Sequence, residues 1–202
     1  NYISGKITLL ILSQSEIIYL IFVMIITAIP AGFAAGLFGI GGGLITVPIL
    51  FYIFTRAGID PSHVMHLSVG TSFGIIIPTS IVSVLTHHQH KAVDFKVVRG
   101  FGLSVVTGVI LGTILAANLS TKPLILYFTI VVYGLAFYLL FLKEKGENLD
   151  IKIGLLAKTV AGVVSGFVSA PMGIGGAVMN VPILKYFGYP INKAIGSAAA
   201  IG

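Results

Sequence analysis

The sequence predicts an all-α membrane protein, a polytopic helical bundle built from two inverted repeats with glycine-broken helices. Three observations lead there. Hydrophobic residues make up 56% of the chain and charged residues 9%, against about 25% charged in an ordinary soluble domain. The apolar residues fall in runs near 17–38, 67–85, 101–119, 124–142 and 153–172, each close to the ~20 residues a helix needs to cross ~30 Å of hydrocarbon. A glycine-rich string, Gly36-Leu37-Phe38-Gly39-Ile40-Gly41-Gly42-Gly43-Leu44-Ile45-Thr46-Val47-Pro48, returns later as Gly173-Ile174-Gly175-Gly176-Ala177-Val178-Met179-Asn180-Val181-Pro182. Gly32-Phe33 likewise recurs as Gly166-Phe167, and Val47-Pro48-Ile49-Leu50 as Val181-Pro182-Ile183-Leu184. An internal duplication of this kind decides the fold. The ~10-residue alternating segments of a membrane β-barrel are absent from the sequence.

Residues 1–15 form a lead-in whose apolar run, 7–12, is too short to span. The first repeat covers 16–152. Its first span, 17–38, ends in the glycine break, since each glycine weakens a helix by roughly 1 kcal/mol. Residues 44–54 are then expected as a short helix of ~16 Å at 1.5 Å per residue, about half the hydrocarbon thickness. Pro48 lies inside it, which suits a discontinuous element packed within protein. The polar connection 55–63 follows, then a span over 66–85, a basic loop over 87–99, and a helical hairpin turning at Ser120-Thr121-Lys122-Pro123. A hydrophilic loop over 143–152 closes the repeat. The second repeat starts at 153, breaks at 173–176 and reaches 202, with Ile195-Gly196-Ser197 echoing Val69-Gly70-Thr71. A complete second copy would need roughly 60 more residues at ~20 per span, so the chain reads as truncated. It begins at Asn1 with no signal-peptide pattern before residue 17, and a little of the N-terminus is expected to be missing.

The net charge of +6 comes from 12 Lys and Arg against 6 acids. The basic residues lie in short loops without interleaved aromatics, which excludes nucleic acid as the partner and gives them an orienting role in the bilayer. Loops 87–99 and 143–152 are the richest in Lys and Arg and are two spans apart, so both are expected in the cytoplasm. If the short helix counts as a crossing, each repeat holds an odd number and the copies insert upside down relative to each other. Inverted repeats around broken helices are a recurrent transporter architecture, with the site near the midplane.

A helix that starts inside the membrane exposes unpaired N–H groups with about half a positive charge behind them. Such starts are expected at Leu44 and Val178. Glycine lets the backbone approach a ligand closely, so the two starts suit a small oxyanion. The candidate substrate-binding residues are Gly39, Gly41, Gly42, Gly43, Thr46, Thr71 and Ser72 from the first half, and Gly173, Gly175, Gly176, Asn180 and Ser197 from the second. The competing explanation is close helix packing through small residues. That is the reading adopted for Gly108, Gly112, Gly162 and Gly166, while Gly32/Gly36, Gly39/Gly43 and Gly70/Gly74 share the spacing.

Catalytic and metal sites and cofactors are not expected. With no cysteine there is neither thiolate nucleophile nor thiolate metal site. The glycines lack the strand and crossover helix of a dinucleotide fold. Every acid falls in a loop or at a span edge, His63 and His66 read as interfacial, and His87-His88-Gln89-His90 lacks a companion carboxylate. An anion leaving a cell that is negative inside gains ~2.3 kcal/mol per charge per 100 mV, so export could run without a coupled ion.

At its two glycine-proline strings the sequence resembles the sulfite exporter TauE/SafE family, polytopic bacterial and archaeal membrane proteins with two homologous halves. The matching residues are Gly36 to Pro48 with Gly70-Thr71-Ser72, and Gly173 to Pro182 with Gly196-Ser197. The second copy departs at Ala177 for Gly43, Asn180 for Thr46 and Ala198 for Ser72, which makes the half-sites chemically unequal. The resemblance implies export of sulfite, sulfonates or related small organosulfur anions across the plasma membrane, with the lipid bilayer as the other partner and a homo-oligomer compatible with it. A passive anion channel and an intramembrane enzyme are the alternatives; the first needs a continuous polar pore, the second a nucleophile with a base beside it.

Overall fold

A computed structural model describes residues 42–141 and 154–202, together with residues 18, 21–23, 25, 26, 28–30, 32 and 33, which are helical. Half of the expected span 17–38, the break residues Gly39 and Gly41, and the loop 143–152 lie outside the described residues. Among those described, the regular elements are all helical. They are α1 (Gly43–Arg56), α2 (Val64–Gln89), α3 (Phe95–Asn118), α4 (Thr121–Phe141), α5 (Leu155–Ser169), a 3-10 turn (Ala170–Met172), α6 (Ala177–Tyr186) and α7 (Ile191–Ile201). Four of these segments, α2, α3, α4 and α5 with its 3-10 extension, are long and apolar enough to cross a membrane. The 14-residue α1 is shorter.

The surface has the polarity lipid requires. Ile77, Ile81 and Leu85 of α2, Leu103, Ile110 and Ile114 of α3, and Leu126, Ile130 and Phe137 of α4 are all exposed, a far larger apolar area than a water-soluble monomer presents. Between α3 and α5 much of what lies buried is small or weakly polar: Ser104, Gly108 and Gly112 on α3 against Gly162, Ser165 and Gly166 on α5. Helices in lipid gain nothing from hiding leucine, so they associate where small residues let backbones close up.

The α3–α5 pair follows that rule. A methyl group at Gly108 would overlap the Val163 carbonyl, and one at Gly166 would overlap the Val105 carbonyl. At Gly112 it would stand 2.5 Å from the Phe167 oxygen, and at Gly162 2.7 Å from the Ser104 Cβ. These four glycines are packing residues, as their spacing suggests. Gly70 and Gly74 differ: a methyl group added at either would have nothing within 4 Å, so that pair meets no described neighbour.

Helix ends depart from the hydropathy reading. α2 continues to Gln89 and α3 begins at Phe95, so the loop expected over 87–99 shrinks to 90–94. Its end is fixed by Asp94, whose carboxylate accepts from the amides of Lys96 at 3.0 Å and Val97 at 3.5 Å, the N-cap arrangement that satisfies otherwise orphan donors. The short helices start one residue earlier than expected, at Gly43 and Ala177. Pro48 and Pro182 each lie inside their helix, at matching places five residues past its start, where each removes one ladder hydrogen bond.

Three apolar clusters hold these parts together. Val47, Met65, Val69 and Leu124 join α1, α2 and α4. Val97, Phe101 and Val105 of α3 meet Leu184, Ala194 and Ala198 of α6 and α7. Met172, Ile174 and Val178 of the second break pack against Leu44, Tyr127 and Phe128, so the break itself is part of the core.

Candidate functional site

The two glycine breaks touch. Gly43, the first residue of α1, is buried against the Gly173 carbonyl and the Ile174 Cα, where a methyl group would overlap the carbonyl oxygen and stand 2.8 Å from Ile174. Gly173 closes the 3-10 turn in the left-handed conformation, with φ +62°, which an L side chain adopts at a cost. A side-chain carbon there would come within 3.1 Å of Val47 and of the Val69 backbone. Both its φ and its surroundings therefore require glycine. From Ile174 to the start of α6 at Ala177 the chain can reach at most ~11 Å, so the N-termini of α1 and α6 are near neighbours. Neither carries a side-chain cap.

The two half-sites use their polar groups differently. In the first, the Thr46 hydroxyl donates to the Gly42 carbonyl at 2.7 Å within its own helix, and the buried Ser72 hydroxyl donates to the Gly173 carbonyl at 2.8 Å. Thr71 is half-buried beside it. Gly42 has room: a side-chain carbon would stand 3.7 Å from the Thr46 hydroxyl, so Gly43, and not Gly42, is where the first break tolerates no atom.

In the second half, Asn180 is fully buried and its Oδ1 accepts from the Ser165 hydroxyl of α5 at 2.5 Å. Among the described residues its Nδ2 has no partner, and neither has the buried Ser169 hydroxyl. The amide nitrogen lies over Gly176, where a methyl group would overlap it. A side-chain carbon added at Gly175 would stand 3.5 Å from Ile76 of α2. Ser165 and Ser169 did not figure in the sequence reading; both stand one turn apart on α5 among Gly162 and Gly166, where spacing alone suggests only packing.

Ser197 serves another purpose. Its hydroxyl accepts the Asp94 amide at 3.0 Å, and a methyl group at the adjacent Gly196 would stand 2.5 Å from the Ala92 carbonyl. The echo of Gly70-Thr71 in the second half thus fastens α7 to the start of α3. Among the described residues no three His, Asp or Glu side chains are grouped to hold a metal ion.

Comparisons with known proteins agree with this architecture. The chain is 33% identical over 172 residues to a probable membrane transporter protein of Haemophilus influenzae, covering 85% of this chain and 65% of that one. It is 29% identical over 189 residues to a probable membrane transporter protein of Methanocaldococcus jannaschii, covering 93% of this chain and 70% of that one. A Xylella fastidiosa protein of the same description is 35% identical over 115 residues, 56% of this chain and 41% of that one. The chain therefore spans about two thirds or less of these relatives. No solved structure matches it. The model of the sulfite exporter TauE/SafE family matches residues 23–202, nearly all of the sequence and both glycine-proline strings, and the chain belongs to that family.

Proposed function

We propose that this protein is a membrane transporter that moves sulfite, organosulfonates or related small sulfur oxyanions outward across a bacterial or archaeal plasma membrane, from a site between its two glycine breaks. The observation that carries the reading is the contact of Gly43 with Gly173 and Ile174. It brings together two helix N-termini that lack side-chain caps, and such ends favour an anion through their free N–H groups and dipoles. The backbone at Gly41, Gly42, Gly43, Gly175 and Gly176, with Asn180, would face the anion. Gly39, Thr46, Thr71, Ser72, Gly173 and Ser197 complete the proposed set, the hydroxyls of Ser72 and Ser197 being already committed to backbone groups.

Inverted insertion of the two halves belongs to the same proposal. The duplication it needs is supported by the equivalent places of Pro48 and Pro182 in α1 and α6, and the opposed orientation by the distribution of Lys and Arg. The hydroxyls of Thr46 and Ser72 donate to backbone carbonyls, which favours transport over nucleophilic catalysis, since an activated hydroxyl donates to a base. The test is counterflow of radiolabelled sulfite in proteoliposomes, challenged with sulfate, thiosulfate, sulfoacetate and taurine. Saturable sulfite exchange inhibited by some of these is expected. Exchange no faster than in empty vesicles would reject the proposal.

A further inference from the structure

We infer that Asn180 and Ser169 form a neutral hydrogen-bonding pocket for one oxygen of an oxyanion, and that Ser165 is the positioning residue that aims the amide. The inference rests on the anion site proposed above and adds to it the atoms that recognise the ligand, all from the second half. Asn180 is fully buried, and Ser169 is 4% exposed. Each nonetheless has a polar atom without a partner among the described residues, Nδ2 and Oγ respectively. A buried donor left unpaired costs about 1–3 kcal/mol, and here two are left unpaired among the described residues, on the touching helices α5 and α6. The cost makes sense if a ligand completes them.

The orientation is specific. The Ser165 hydroxyl donates to Asn180 Oδ1 at 2.5 Å, so the carbonyl side of the amide is occupied and the N–H₂ side is presented. Side chains on a helix lean toward its N-terminus, and Nδ2 accordingly lies over Gly176, the residue that precedes α6, with no Cβ to block it. The amide donor thus reaches the first turn of α6, whose leading N–H groups have no partner within the helix and where Gly202 packs on the Gly176 backbone. Ser169, one turn beyond Ser165 on α5, adds a hydroxyl. These groups are uncharged, so an oxyanion oxygen would be recognised by hydrogen bonds alone. An acceptor-only oxygen, as in sulfite or a sulfonate, fits better than a cation, which a primary amide nitrogen cannot coordinate.

At the equivalent place in the first half the Thr46 hydroxyl is spent on the Gly42 carbonyl, and the buried polar atom without a partner among the described residues there is His66 Nδ1, on α2. Recognition is therefore lopsided despite the duplicated backbone.

The test uses the full-length protein in detergent with radiolabelled sulfite in equilibrium dialysis, and the same preparations in proteoliposome counterflow. Ser169→Ala removes a hydroxyl that has no partner to lose, so it folds; sulfite binding should weaken about tenfold, the value of a hydrogen bond to a charged group. Asn180→Asp keeps the shape and replaces the donor with a negative charge, and should weaken binding by more than about a hundredfold. Ser165→Ala should weaken binding about tenfold, with Ser165→Thr restoring most of it. Wild-type affinity in both Ser169→Ala and Asn180→Asp overturns the pocket, as does wild-type protein that binds neither sulfite nor ethanesulfonate. Wild-type protein that binds sulfite, with these losses in the variants, but shows no counterflow rejects the transport proposal and leaves the pocket standing.

Discussion

The Ser72 hydroxyl donates to the Gly173 carbonyl at 2.8 Å, across 101 positions of sequence. That carbonyl belongs to a glycine with φ +62° at the end of a 3-10 turn, and it also receives the face of Gly43. One backbone oxygen thus lies at the junction of α1, α2 and the second break. Ser72 is 1% exposed, so no water is at hand to replace its hydrogen bond. Ser72→Ala should lower stability by about 1–3 kcal/mol, the cost of a buried acceptor left unpaired. Thermal unfolding in detergent, followed by fluorescence-detected size exclusion, reads this as a lower midpoint; an unchanged midpoint contradicts it.

Neighbouring glycines of the first break should respond oppositely. At Gly42 the contact an added methyl makes among the described residues is with the Thr46 hydroxyl at 3.7 Å, ordinary van der Waals distance, whereas at Gly43 it overlaps the Gly173 carbonyl, which is backbone and cannot rotate away. Gly42→Ala should fold with a thermal midpoint close to that of the wild type. Gly43→Ala should separate α1 from the second break at a cost of about 1–3 kcal/mol or more. Similar thermal midpoints in the two variants would show that the contact between the breaks is dispensable.

The connection between α1 and α2 carries a pH signature. The Asp60 carboxylate accepts from the Ser62 amide at 2.9 Å and the Ser62 hydroxyl at 2.7 Å, and the hydroxyl bond, followed by the amide bond, lowers its pKa below 3.8. A carboxyl whose folded pKa is depressed stabilises the fold above its unfolded pKa and loses that contribution as pH falls through the folded value. The stability difference between wild type and Asp60→Ala should therefore be present at pH 7 and shrink below about pH 4. A difference that grows on acidification would have the wrong sign for this account.

The spans were legible because hydrocarbon thickness imposes long apolar runs, and the glycine breaks because they repeat. Helix ends were less so. Lys96 and Arg99 made the first turns of α3 look like loop, although they are helical behind the Asp94 cap; hydropathy sees the part of a helix that meets lipid, and α3 extends beyond it. Gly70 and Gly74 have the spacing of a packing pair yet meet no described neighbour, since spacing specifies a face without specifying what covers it. The polar half of the site was harder still. Asn180 stood out by its place after a break, but Ser165 and Ser169 gain their meaning only when α5 is laid beside α6. One available clue was their separation of one helical turn, which puts two hydroxyls on a single face.

That face of α5 also meets α3, and the strictness of their packing can be measured. Gly108 and Gly166 each lie against a backbone carbonyl of the partner helix, Val163 and Val105 respectively, while a methyl group added at Gly134 of α4 would have no described atom within 4 Å. In lipid the association of two helices rests mainly on van der Waals contact, and individual contacts of about 0.1–0.2 kcal/mol are lost together when backbones are forced apart. Gly108→Ala and Gly166→Ala should each destabilise the protein by about 1–3 kcal/mol. Gly134→Ala should be neutral or slightly stabilising, because alanine favours helix over glycine by about 1 kcal/mol. The pair Gly108→Ala/Gly166→Ala should cost less than the sum of the singles, since the first methyl already opens the interface the second would open. Thermal midpoints of the four variants in one detergent test the scheme, and a Gly134→Ala midpoint as low as that of Gly108→Ala would mean that glycine flexibility in the spans, and not close approach, is what these positions supply.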